Sequence, residues 1–273
     1  DTPVLVDLKP SGDHYMEDLH RAGGVQRLLL EIRDQLDLDA LTVTGRTLGE
    51  ELDDAPAPFD QDVIRSRENP IHSGGSIAVL RGNLAPGGSI IKQSAASEGL
   101  LEHRGRAVVF EDAEDLSARI DRDDLDVEPD DILVLRNIGP VGYPGMPEAG
   151  YIPIPRKLAR AGVKDIVRIS DGRMSGTAAG TIVLHASPEA AVGGPLALVR
   201  TGDMITLSVS ERSLHLEVSD DELAARRTDV VARPRPRRGY AKLYADEVTQ
   251  AEEGCDFRFL QATDTTTSVP SAR

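Results

Sequence analysis

The chain has 273 residues, 40% hydrophobic and 28% charged, which gives enough apolar material for one large globular domain or two unequal ones and too much for a disordered chain. A formal net charge of −15 repels phosphate backbones, and the Pro-Arg segment Arg233 to Arg238 reads as a linker, so no nucleic-acid partner is expected. No apolar run approaches the roughly 20 residues that span a bilayer, because Gly193, Gly194 and Pro195 interrupt Ala190 to Val199, and a soluble protein without a membrane partner is expected.

The single cysteine, Cys255, excludes an internal disulfide and any multi-cysteine zinc or iron-sulfur site built from this chain alone. Asp1 to Lys9 lacks the basic start and apolar core of a signal peptide, so a cytoplasmic location is expected. A first residue of Asp rather than Met points to a natural N-terminus further upstream.

From Asp1 to about Leu52 the apolar positions Leu19, Val25, Leu28, Leu29, Ile32 and Leu36 recur at helical spacing, and Gly45 marks a break. This segment (1–55) reads as the helical tail of a larger upstream α/β domain. Residues 56–72, with Pro56, Pro58 and Pro70, read as a linker, and 73–273 as a second domain. There the texture changes to short β-branched runs between glycine-rich turns.

The runs predict strands at Ser76 to Leu80, Ser89 to Lys92, Ala107 to Glu111, Ile132 to Arg136, Asp165 to Ile169, Thr181 to His185, Met204 to Ser210 and Leu214 to Val218. Helices are expected at Ala113 to Ile120, Pro155 to Ala161, Asp220 to Arg226 and Tyr240 to Glu253. About eight strands with a few flanking helices suggest a barrel-like mixed sheet in the α/β class, which sequence alone does not separate from a sandwich.

Three loops are rich in glycine and polar residues: Ser73 to Gly88, Asn137 to Gly150 and Ser170 to Gly180. Glycine lets backbone approach a ligand closely, and sites gather on such loops. In Asn137-Ile-Gly-Pro-Val-Gly-Tyr-Pro-Gly-Met-Pro-Glu148, one carboxylate stands among backbone-fixing residues, either as a hard-metal ligand or as a solvated cap of the next segment. In Ser170-Asp-Gly-Arg-Met-Ser175-Gly-Thr177-Ala-Ala-Gly180, hydroxyls, a carboxylate and a guanidinium share one turn. This loop could hold a nucleophile, a base or an anion nest, or Ser175 or Thr177 could cap a short helix. Arg173 two before Ser175 breaks the nucleophile-elbow pattern. His185, at the end of an apolar strand, reads as a satisfied core histidine.

These loops, together with Asp7-Leu-Lys-Pro-Ser-Gly12, Met16-Glu-Asp-Leu19, Leu41-Thr-Val-Thr-Gly45, Ala78-Val-Leu-Arg-Gly-Asn-Leu-Ala-Pro86, Arg173-Met-Ser-Gly-Thr177 and Pro188-Glu-Ala-Ala-Val-Gly-Gly-Pro195, resemble the dihydroxy-acid and 6-phosphogluconate dehydratases over essentially the whole chain. The likeness is greatest to the sugar-acid (pentonate) branch, to which Gly254-Cys-Asp-Phe257 also points.

The resemblance implies a swivelling β/β/α barrel behind an upstream domain, with Mg²⁺ and an iron-sulfur cluster, usually [2Fe-2S], at the cleft between them. It implies Glu148 as a Mg²⁺ ligand, Ser175 as the base and Thr177 as a substrate contact. The cluster cysteines and other Mg²⁺ ligands would lie in the missing N-terminal domain, and Cys255 would be structural.

The implied reaction removes water from a 2,3-dihydroxy acid to give a 2-keto acid, and the expected substrate is a sugar acid such as xylonate or arabinonate. The alternatives are dihydroxy-acid dehydratase of branched-chain amino-acid synthesis and a non-catalytic scaffolding remnant. A homo-dimer or tetramer is expected, and the fragment alone should be inactive. Ala179 and Glu247 stand where the pentonate branch commonly carries an aromatic residue and a His, and a smaller side chain at 179 would widen the pocket.

Overall fold

Two strands lie at the centre of the sheet, one wholly apolar and the other enclosing Arg168 and Ser170. Ile132–Leu135 and Val167–Ser170 are buried along their whole length, the signature of parallel strands covered on both faces. The computed structural model describes residues 2–55, 59–176, 179–230 and 233–261.

Among these, eight strands form one sheet: β1 (Ile77–Leu80), β2 (Gly88–Lys92), β3 (Glu102–Phe110), β4 (Ile132–Leu135), β5 (Val167–Ser170), β6 (Ile182–Ser187), β7 (Met204–Ser208) and β8 (Ser213–Leu216). Their spatial order is β1-β2-β6-β5-β4-β3-β7-β8. The four strands β3, β4, β5 and β6 run parallel, and the flanking pairs run antiparallel.

The sheet curls until its two outer strands meet. Arg81 bridges Ser213, the Arg81 N–H donates to the Arg212 carbonyl at 2.9 Å, and the Leu214 N–H donates to the Arg81 carbonyl at 2.9 Å. Gly82 permits this contact, because a Cβ there would overlap the Leu214 carbonyl. The result is the expected barrel-like mixed sheet, nearly closed.

Alternation along the strands divides the core. Ala107, Val109, Ile132, Val134, Val167 and Ile169 point into the barrel, against Leu80, Ile91, Leu207 and Leu214. Val108, Phe110, Leu133 and Leu135 point outward, under α4 (Ala113–Arg119) and α5 (Arg156–Arg160), against Leu116, Leu158 and Ile166. Asp112 caps α4 by accepting from the Asp115 N–H at 2.8 Å.

All eight expected strands are present. β3 begins five residues early, at Glu102, because its polar first half pairs with β7 and only Ala107–Phe110 pairs with β4.

The N-terminal segment is helical, as expected, but with breaks beyond the one expected at Gly45. It forms α1 (Met16–Arg21), α2 (Gly24–Glu31) and α3 (Leu48–Asp53), with Gly23 and Gly24 at positive φ between the first two. Its first residues are extended, with Val4 bridging His72 and Val6 bridging Ile64. Leu19, Ala22, Val63 and Ile64 share a small core, so residues expected as linker pack on the N-terminal segment.

Two further helices follow the barrel strands, α6 (Asp220–Asp229) and α7 (Gly239–Glu247). α7 stops six residues before the expected end. Val248 instead bridges Phe257, and the Thr249 N–H donates to the Asp256 carbonyl at 2.8 Å. No described helix is long and apolar enough to cross a membrane.

Candidate functional site

Because β4 and β5 are parallel, the loops that follow them leave the same end of the barrel, and these are the loops that carry Glu148 and Ser175. The first loop starts with Asn137 in the left-handed region (φ 63°). Two carboxylates hold its stem. The Asn137 and Ile138 N–H groups donate to Asp171 at 3.0 and 2.9 Å, and the Val141 and Gly142 N–H groups donate to Glu189, both at 2.8 Å. Gly139 is required here, because a Cβ would lie 2.7 Å from Glu189 Oε2.

Past the stem, Gly145 and Met146 turn with positive φ and present Glu148, whose side chain is 48% exposed. Arg173 links this loop to the next. Its Nε donates to the Met146 carbonyl at 2.7 Å, and its guanidinium lies 3.6 Å from the Glu148 carboxylate. The Gly150 N–H donates back to the Arg173 carbonyl at 2.6 Å.

Ser175 lies two residues after Arg173 and is half-buried. Lys92, at the end of β2, donates to the Gly176 carbonyl at 3.2 Å. Two cations thus flank the Ser175 turn, where positive charge favours an oxyanion. Thr177 lies outside the described residues. The next element assigned after Ser175 is β6, and the helix-cap alternative falls partly on residues outside the described ones.

Sequence reasoning passed over Asp171 and Glu189, each 1% exposed. Asp171 also accepts from the Ala190 N–H at 2.9 Å. Glu189 and Gln250 exchange two bonds, Gln250 Nε2 donating to Oε1 at 2.8 Å and the Glu189 N–H donating to Gln250 Oε1 at 2.9 Å. Burial pushes the Asp171 carboxyl up to about 6, the Glu189 charge adding to it and the three amide bonds opposing it. The available signal was a carboxylate set directly between an apolar strand and glycine, or within Pro-Glu-Ala-Ala.

His185 corrects the expectation of a satisfied core histidine. It stands at φ 54°, its backbone N–H donates to the Gly172 carbonyl at 3.1 Å, and its buried Nδ1 has no hydrogen-bond partner among the described residues. Burial, reinforced by the Arg173 charge, holds its pKa below the ordinary value. His185 and Cys255 line a cavity of about 380 Å³ with Arg81, Ser89 and Glu252.

Glu148 offers an exposed carboxylate of the oxygen type Mg²⁺ prefers, and the described residues contain no group of three or more His, Cys, Asp or Glu that could hold a metal by themselves. An iron-sulfur cluster does not fit these residues. Cys255 is alone, its Sγ touches Met146 Sδ at 3.8 Å, and burial raises its thiol pKa, whereas cluster ligation needs several thiolates.

Comparison with known proteins agrees with the loop pattern. The chain is 53% identical to the 6-deoxy-6-sulfo-D-gluconate dehydratase of Pseudomonas putida, over 98% of this chain and 47% of that protein. It is 51% identical to the L-arabonate dehydratase of Azospirillum brasilense, over 96% and 47%. It is 43% identical to the dihydroxy-acid dehydratase of Methanothrix thermoacetophila, over 93% and 46%.

The chain therefore spans about half the length of the curated relatives it matches. Residues 1–51 match the N-terminal family described as dihydroxy-acid/6-phosphogluconate dehydratase, and residues 62–255, which hold both site loops and their carboxylate supports, match its C-terminal family. On this match, the chain belongs to the dihydroxy-acid/6-phosphogluconate dehydratase family.

Proposed function

We propose that the full-length protein is a hydro-lyase that converts a 2,3-dihydroxy acid, of the sugar-acid class, into a 2-keto-3-deoxy acid. The observation that carries this reading is the joining of the Glu148 and Ser175 loops through Arg173 at one end of the barrel.

Ser175 Oγ takes the proton from C2, and Thr177 contacts the substrate. A serine hydroxyl is a poor base until nearby positive charge stabilises its alkoxide. Arg173 and Lys92 supply part of that charge from this chain. Glu148 would hold Mg²⁺ together with ligands from the upstream domain, which would also carry the [2Fe-2S] cluster. When bound, Mg²⁺ would supply Lewis-acid stabilisation of the negative charge that develops in the reaction. No group in this chain is assigned to the departing 3-hydroxyl.

Identities of 51–53% to dehydratases of arabonate and sulfogluconate, against 43% to a dihydroxy-acid dehydratase, favour a sugar acid. The test is 2-keto acid formation by the full-length protein on arabinonate, xylonate, gluconate, 6-deoxy-6-sulfogluconate and dihydroxyisovalerate. Highest kcat/KM on a sugar acid is expected. Preference for dihydroxyisovalerate would overturn the substrate class, and turnover of none would overturn the enzyme reading.

A further inference from the structure

We propose that Asp171 and Glu189 are positioning residues of this site, two buried carboxylates that fix the Glu148 loop and the Ser175 loop in one mutual geometry. The inference rests on the proposed dehydration site and adds to it the groups that hold its parts in register.

Burying a carboxylate costs several kcal/mol unless its lone pairs are filled. Both carboxylates are almost wholly buried, and among the described residues neither forms an ion pair with a cation. Their partners are amides. Asp171 accepts from Asn137, Ile138 and Ala190, and Glu189 from Val141, Gly142 and the Gln250 side chain. Four backbone N–H groups of the stem 137–142 therefore end on two anions.

An anionic acceptor makes shorter and stronger bonds than a neutral one and takes several donors from set directions. That suits a loop which must not drift. Stabilising the barrel alone would not require it, because apolar cores already cover both faces of β4.

The position of Asp171 makes the arrangement specific to the site. It opens the loop that carries Ser175, and it holds the first two amides of the loop that carries Glu148. A movement of either loop is thus transmitted to the other through one side chain. Glu189 extends the same hold to the turn after β6 and, through Gln250, to the segment after α7.

The experiment uses the full-length protein with Asp171→Asn and Glu189→Gln, beside Asp203→Asn as a control. Asp203 is paired with Arg226 at 2.6 Å away from these loops, so its variant measures the damage of losing a partly buried, hydrogen-bonded carboxylate elsewhere. The two site variants should lose about 100-fold in kcat with KM changed less than about threefold. They should also bind Mg²⁺ about 10-fold more weakly in a direct calorimetric titration without substrate. Their thermal unfolding should shift no more than that of the control, which should keep its turnover.

Turnover and Mg²⁺ affinity matching the control would overturn the inference. Should a carboxylate variant fail to fold, Gln250→Ala decides, weaker Mg²⁺ binding supporting the inference and parental values overturning it. Ser175→Ala and Glu148→Gln are measured alongside. If these two keep turnover and Mg²⁺ affinity, the reading of the site itself has failed. If they lose them while the Asp171 and Glu189 variants match the control, only the positioning role has failed.

Discussion

Ser175 and Glu148 were legible in the sequence as residues of glycine-rich loops, but their pairing was not, because it depends on two parallel strands bringing separate loops to one rim. Arg173, which joins them, was visible as a guanidinium in the Ser175 turn and as the residue that spoils a nucleophile elbow, but not as a link to the Glu148 loop. Ser175→Ala in the full-length protein should lower kcat by about 10²- to 10⁴-fold, the range for loss of a positioned base, with an unchanged melting temperature. Retained turnover would remove Ser175 as the base. Glu148→Gln should raise the Mg²⁺ concentration needed for half-saturation, and an unchanged titration would remove it as a ligand.

Asp171 adds a pH signature. Its folded-state value is raised from 3.8 to about 6 by burial, with Glu189 facing it. The protonated form therefore favours folding, a contribution complete below pH about 4 and lost as pH rises through about 6. At neutral pH the carboxylate that accepts the loop amides is present at some cost to stability, a balance found where function sets the geometry. Asn at this position cannot ionise. Denaturant unfolding of parent and Asp171→Asn should show the parent losing stability relative to the variant between pH 4 and 7, and a difference constant with pH would contradict this.

At the scale of elements, β-branched runs between glycine-rich turns located all eight strands, since burial on both faces leaves few ways to place Ile132–Leu135 or Val167–Ser170. Boundaries failed where one strand serves two partners, as in β3, or where a helical pattern gives way to a bridge, as at Val248. The N-terminal segment misled because spaced leucines report a buried face without reporting the Gly23-Gly24 break. The connection between the site loops makes its own prediction. A Cβ at Gly150 would lie 2.6 Å from the Arg173 carbonyl and 2.7 Å from Leu184 Cδ2. Gly150→Ala should therefore destabilise the protein by about 1–3 kcal/mol, the usual cost of overpacking. It should reduce turnover beyond the unfolded fraction, as measured by assays paired with chemical denaturation.

At the scale of the molecule, the resemblance read from ordered motifs placed the chain in its family, whereas composition and charge only excluded alternatives. The site at the barrel rim supplies a hydroxyl and one carboxylate, and the described residues offer no complete metal cage. The isolated 273-residue chain should thus show no turnover of any pentonate at saturating Mg²⁺. Turnover by the fragment would place the whole catalytic apparatus within it. Addition of the separately produced upstream domain should restore activity if the halves associate.

The meeting of β1 and β8 at Arg81 and Gly82 bears on how this protein behaves in company. Exposed strand borders offer unpaired peptide groups on which another chain can lay a further strand, a common start of aggregation. Here Arg81 exchanges hydrogen bonds with Arg212 and Leu214, so this stretch of the two borders is closed to an added strand. A partner that docks there must read side chains and loops, which sequence can vary without disturbing the barrel.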